Sequence, residues 1–201
     1  MKSPFLTSIF LLLIASIQIN AADKYTTLEK QQPTQAKEGT IEVVEVFWYA
    51  CPHCFDFEPK LQSWLKKDHE NITFRRMPGI FSKSWIPHAK AYFTAEALGI
   101  EEEMSKKIFK AIHLDKKPLH DDAAFKKFFV KNGVDAAKFD EVYNSEEVEK
   151  KMKQSFLMGQ RYKITGVPAM VVDGQYVVNS NQNMLKVVEE LVAKEMAANS
   201  E

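Results

Sequence analysis

Cysteine is nearly absent from this chain: 201 residues hold two, Cys51 and Cys54. A single close pair cannot build the multi-bridge framework of a small secreted domain. Glycine and proline are also sparse, at 7 and 8 residues, which excludes collagen-like and low-complexity material. Neither sign of charge prevails, since 27 basic residues balance 27 acidic ones. No global field therefore draws the chain onto nucleic acid or an anionic membrane. Lysine pairs such as Lys66-Lys67, Lys106-Lys107 and Lys126-Lys127 have acids nearby and read as solvated helix faces. The apolar run from Ile9 to Ile17 is short beside the roughly 20 residues that span a bilayer as a helix. What is present is 45% hydrophobic residues, enough for one cored domain or one domain carrying a large insertion.

The N-terminus combines Lys2, that short apolar run and small residues ending at Ala21-Ala22. These are the parts of a secretory signal peptide, assigned to residues 1–22. The expected mature protein works outside the cytoplasm, in a bacterium in the periplasm, where disulfides form and persist.

Residues 23–40 are polar and read as an extended arm. Ile41 to Tyr49 is β-branched and aromatic, a buried strand. Phe55, Phe57, Leu61, Trp64 and Leu65 then recur at helical spacing to about His69, and Asn71 to Met77 is a second strand closed by Pro78-Gly79. From about Ser84 to Tyr162 apolar stripes are helical, the last being Val148, Met152 and Phe156. Ala169–Val172 and Tyr176–Val178 flank Asp173-Gly174, a hairpin signal. A final amphipathic helix runs from about Asn183 to Ala197. Short strands interleaved with helices predict an α/β sheet, and the all-helical block reads as an inserted subdomain. No internal repeat of fixed period occurs.

Cys51-Pro52-His53-Cys54 stands between the first strand and the helix after it. Proline suits the first helical position, where its missing donor costs nothing. Cys51 is thereby placed at the helix N-terminus, whose free N–H groups and dipole stabilise an anion. It should be the exposed nucleophile, with a lowered pKa. His53 adds partial positive charge and can donate to the sulfur. Cys54, one turn inward, is the buried resolving thiol. Three other readings compete less well: a structural staple, half a zinc site and an inert thiol pair. Zinc would need two further ligands, and His69, His88, His113 and His120 show no ligand spacing.

A C-x-x-C in a βαβ context is a thioredoxin-like redox signature. The segment Phe47-Trp48-Tyr49-Ala50-Cys51-Pro52-His53-Cys54-Phe55-Asp56-Phe57-Glu58 resembles the active-site segment of the DsbA family of periplasmic thiol:disulfide oxidoreductases. Tyr25-Thr26-Thr27-Leu28-Glu29-Lys30 resembles that family's N-terminal arm, and Gly166-Val167-Pro168-Ala169-Met170 its cis-proline segment. The resemblance implies a thioredoxin-like α/β fold with an inserted all-helical subdomain. The parts would be 23–81 and 163–201 for the thioredoxin-like domain and 82–162 for the insertion. It implies that Val167 and Pro168 face the cysteines and hold substrate backbone. Glu45 matches a family acid beneath the active site and Glu58 another near the buried cysteine. The family's lysine partner for the first acid is matched by Arg76, or by Arg75; arginine, unlike lysine, does not give up its proton. The implied activity is oxidation of unfolded exported proteins with free cysteines, with a disulfide reductase or isomerase on the same fold as the alternative. No cofactor is implied beyond the redox-active Cys51–Cys54 disulfide, and no metal. A membrane quinone reductase of the DsbB type would reoxidise the enzyme, a monomer. Phe57, Leu61, Phe81 and Met184 are candidates to line a peptide groove.

Overall fold

The computed structural model describes residues 24–67 and 69–199; the signal peptide expected over 1–22 lies outside them. Five strands form one sheet: β1 (Thr26–Thr27), β2 (Ile41–Phe47), β3 (Ile72–Pro78), β4 (Ala169–Val172) and β5 (Tyr176–Asn179), in the order β1-β5-β4-β2-β3. Only β2 and β3 run parallel; β4 lies antiparallel to β2, and β5 to β4. Every residue of β2 is buried, as its near-continuous β-branched run requires of a central strand. The arm, whose sequence predicts only an extended segment, contributes β1, paired with β5.

The hairpin is a matter of local backbone chemistry. Asp173 and Gly174 both have positive φ, 51° and 61°, and the Gln175 N–H closes the turn onto the Val172 carbonyl at 3.0 Å. Two left-handed residues in succession make the type I′ turn, whose twist matches that of the strands it joins.

Among the described residues seven α-helices complete the fold. One face of the sheet is covered by α1 (Pro52–Leu65) and α7 (Met184–Ala198). Leu61 and Trp64 from α1 meet Val187, Val188 and Leu191 from α7 over Ile41, Val43 and Met170. The other face takes Leu28 of the arm with Tyr162 and Ile164 over Val44, Val46 and Val171. Between β3 and β4 in sequence come α2 (Ile86–Ala97), α3 (Glu101–His113), α4 (Asp122–Lys131), α5 (Ala136–Tyr143) and α6 (Glu146–Arg161). Asp121, Asp135 and Ser145 cap the last three, each accepting a backbone N–H three residues on. Their shared aromatic core includes Phe109, Phe125, Phe129 and Phe139 and reaches Phe47, Tyr49, Cys51 and Cys54. The architecture is the thioredoxin fold carrying helices, as expected.

Three readings need correction. Strand β2 stops at Phe47 and α1 at Leu65, because the Trp48 carbonyl turns to accept the Cys51 N–H and the Trp64 carbonyl accepts that of Lys67. Phe156 does not close the α6 stripe; it is 43% exposed. The buried face of α6 runs Val148, Met152, Ser155, Gly159. At 3.6 residues per turn, strict steps of four drift off the face, and Phe156 falls on the outer side.

Candidate active site

Cys51 is the N-cap of α1, with φ −78° and ψ 117°, and Pro52 opens the helix behind it. The Cys51 N–H donates to the Trp48 carbonyl at 3.0 Å, and the Phe55 N–H donates to the Cys51 carbonyl at 3.1 Å. Its sulfur takes the part that a serine or aspartate oxygen plays at other caps, accepting the Cys54 N–H at 3.4 Å. From the opposite side the Val167 carbonyl lies 3.4 Å from Cys51 Sγ and accepts its thiol proton. The Val167–Pro168 peptide bond is cis. Pairing of Val46 with Ala169 delivers this segment to the cysteines.

Cys51 is less exposed than its place at a helix N-terminus predicts for a nucleophile. It keeps 7% of its surface, and Cys54 keeps none. The packing of β2's end against the helical core, with the Val167 carbonyl over the sulfur, accounts for this. The two thiols are driven apart electrostatically. A hydrogen bond from the Cys54 thiol, then the N–H groups of Cys54 and His53 and the His53 charge, bring Cys51 down to about 6 against the opposing effect of burial. Burial and that same donated hydrogen bond push Cys54 far above the ordinary thiol range. His53 acts on the sulfur through its backbone N–H and its charge, and its side chain is exposed.

Glu45, Arg76 and Glu58 form one charged cluster, and the Glu45 charge reaches Cys54. Glu45 is fully buried and lies opposite Arg76 in the β2–β3 register. Arg76 Nε is 2.9 Å from Glu45 Oε2, and the same guanidinium grips Glu58 through Nη2. Burial raises Glu45 to about 7, Arg76 pulling it down and Glu58 pushing it up. Arg76 itself stays charged, since the two carboxylates outweigh the burial that opposes its charge. Arg75 is the partner of another carboxylate, Glu42, which is also fully buried and accepts from Arg75 Nε and from the Gln35 N–H, both at 2.8 Å. The sequence does not single out Glu42, because nothing in a strand's text marks which of two glutamates faces which arginine.

Of the suggested groove residues, Leu61 and Met184 are core, buried between α1, α7 and the sheet, and half-buried Phe57 packs against them. Phe81 is 41% exposed. It continues an aromatic ladder from the active site: Trp48 stacks on Trp85 at 4.2 Å, and Trp85 meets Phe81 at 4.8 Å. Phe81, Ile80, Ile86, Met152 and Phe156 line one surface depression. Among the described residues no group of three or more His, Cys, Asp or Glu side chains is arranged to hold a metal ion.

A dithiol with one sulfur favoured as thiolate and its neighbour held as thiol, at the first helix of a thioredoxin fold, performs thiol:disulfide exchange. The protein is in that class, the thioredoxin-fold oxidoreductases. Residues 76–192 match the model of the DSBA-like thioredoxin domain. The chain is 41% identical over 152 residues to the thiol:disulfide interchange protein DsbA of Burkholderia cepacia, covering 76% of this chain and 72% of that protein. It is 36% identical to DsbA of Azotobacter vinelandii over 202 residues, 96% of this chain and 94% of that one. The crystal structure of Pseudomonas aeruginosa DsbA superposes with a TM-score of 0.83 at 34% identity, covering 90% of this chain and 96% of that one. The chain belongs to the DsbA-like thioredoxin family.

Proposed function

We propose that the protein is a dithiol oxidase of exported proteins in the periplasm, with Cys51 as the attacked sulfur and Cys54 as the leaving one. A substrate thiolate attacks Sγ of Cys51 in the Cys51–Cys54 disulfide. The S–S bond breaks, a mixed disulfide forms, and Cys54 leaves and takes up a proton. A second substrate thiolate attacks the substrate sulfur of the mixed disulfide and expels Cys51 as a thiolate. The substrate loses two electrons and gains a disulfide; the enzyme ends as the dithiol. Val167 and Pro168 hold the substrate backbone beside Cys51, and the apolar face at Phe81 and Phe156 takes its side chains. Glu45, Arg76 and Glu58 tune the pair from beneath. Reoxidation falls to a membrane partner of the DsbB type that passes the electrons to a quinone. No helix among the described residues is long and apolar enough to cross a membrane. Residues 82–162 form the helical insertion of the thioredoxin-like domain made by 23–81 and 163–201.

The observation that carries this reading is the Cys51 sulfur acting as the cap of α1 under the Cys54 N–H. A stabilised thiolate is a good leaving group and favours the reduced enzyme, so its disulfide is a strong oxidant. DsbA, whose family the chain belongs to, is an established example of that effect, and this supports the direction. Trapping tests it: Cys54→Ala, expressed in secreted form, should accumulate mixed disulfides between Cys51 and exported proteins. A folded Cys54→Ala protein that captures none overturns the mechanism.

A further inference from the structure

The last residue of α3 touches the active-site loop from outside. His113 Nε2 lies 2.7 Å from the Tyr49 carbonyl oxygen. A carbonyl can only accept, so Nε2 is the protonated nitrogen and donates. The imidazole also lies nearly parallel to the Phe55 ring, with centroids 4.7 Å apart and planes 12° from parallel. Tyr49 is two residues before Cys51 and Phe55 one residue after Cys54, so this one side chain holds both flanks of the C-x-x-C.

It does not act from an isolated position. Ser105, Phe109 and His113 follow one another at steps of four along α3, and each of the three reaches Tyr49 of the active-site loop. Ser105 Oγ is 2.6 Å from the Tyr49 hydroxyl. Phe109 meets the Tyr49 ring edge-on at 5.1 Å and lies 6.3 Å from that of Phe55. The Tyr49 ring is thus fixed by Ser105 and Phe109, and its backbone by His113. The loop from Trp48 to Ala50 lies beyond the end of β2 and has no strand partners among the described residues.

We propose that His113 is a positioning residue of the redox site: by fixing the Tyr49 carbonyl and the first turn of α1, it holds the Cys51 sulfur where the Cys54 N–H stabilises the thiolate. The disulfide form needs this hold less, because the S–S bond itself ties the two side chains. His113 therefore favours the reduced state and makes the couple more oxidising. This rests on the redox reading of the cysteine pair, but concerns a residue of the insertion that contacts neither sulfur.

The test is the redox equilibrium with glutathione, together with the thiolate absorbance of Cys51 titrated against pH, in His113→Leu and His113→Gln. Leucine keeps apolar bulk and loses the donor; glutamine keeps a donor on a flexible stem. Loss of one hydrogen bond predicts a shift of the equilibrium toward the disulfide form of about three- to tenfold in His113→Leu, with the thiolate titrating at higher pH. His113→Gln should restore most of both. Unchanged equilibrium and titration in a folded His113→Leu protein, with only its melting temperature lowered, overturn the proposal, as does failure of glutamine to rescue. If His113→Leu does not fold, His113→Asn, whose shorter amide does not reach Tyr49, takes its place under the same criteria. A wild-type potential as reducing as thioredoxin's would overturn the oxidase reading, while the difference between variant and wild type still reports on His113.

Discussion

Arg76 Nε lies 2.9 Å from Glu45 Oε2, directly across the parallel β2–β3 pair. The same guanidinium reaches Glu58, so a single cation serves one carboxylate on the central strand and another on the catalytic helix. That fork is a property of arginine: a lysine ammonium is a single point charge and cannot offer two separate nitrogens in fixed geometry.

Arg76→Leu should be strongly destabilising. It strands Glu45 in the core without a counter-charge, at a cost of about 3–5 kcal/mol. Arg76→Lys should fall between leucine and wild type. Urea denaturation of the oxidised forms measures both.

Glu45→Gln should change the pH dependence of stability. The folded pKa is raised from 4.5 to about 7, so between those values the folded protein holds a proton that unfolding releases. Stability from this group therefore falls as pH rises through that window. A glutamine at this position cannot titrate, and the variant should gain on wild type between pH 5 and pH 8, by up to roughly 3 kcal/mol. Paired denaturation curves at the two pH values, on oxidised protein, decide it; a constant gap refutes it.

The reduced protein should show the opposite slope from its other titrating group. Cys51 is lowered from 9.0 to about 6. Its thiolate stabilises the reduced fold fully above pH 9, progressively less as pH falls, and no longer below about 6. Thiolate absorbance in the ultraviolet should appear near pH 6 and be absent from Cys51→Ser. The denaturation midpoint of the reduced form should drop between pH 9 and 6 more than that of the disulfide form.

Phe156→Ala should separate binding from stability. An exposed side chain with little packing to lose changes folding by no more than about 0.5 kcal/mol. If the face it shares with Phe81 takes substrate, oxidation of an apolar dithiol peptide should show a raised KM with kcat nearly unchanged. An unaltered KM removes that face from the substrate path.

Features carried by neighbouring residues are legible without coordinates. Proline after Cys51 marks the helix start, and Asp173-Gly174 marks the turn, because both are decided by backbone sterics over two or three positions. Val167-Pro168 is legible only by resemblance, since an isolated valine-proline pair carries no sign of what it faces. Pairings set by register are half legible: Glu45 needs a cation on the next strand, and the family match favours Arg76 over Arg75, but only the aligned strands show which of the two lies opposite it. The His113–Tyr49 contact spans 64 positions and depends on how α3 crosses the loop, which no local pattern encodes. Phe156 is misread for a simpler reason, the accumulated difference between four residues and a helical turn.

The Val167 carbonyl that caps the nucleophile lies 116 positions after it in the chain, and β4, which brings it there, pairs with a strand completed long before. During synthesis from the N-terminus, both cysteines emerge while their cover does not yet exist. For that interval the newborn enzyme is itself an unfolded polypeptide with two bare thiols, the kind of molecule on which its finished siblings are proposed to act. The cover over Cys51 thus depends on β4 pairing with β2, and a copy truncated before Val167 carries both sulfurs without that carbonyl.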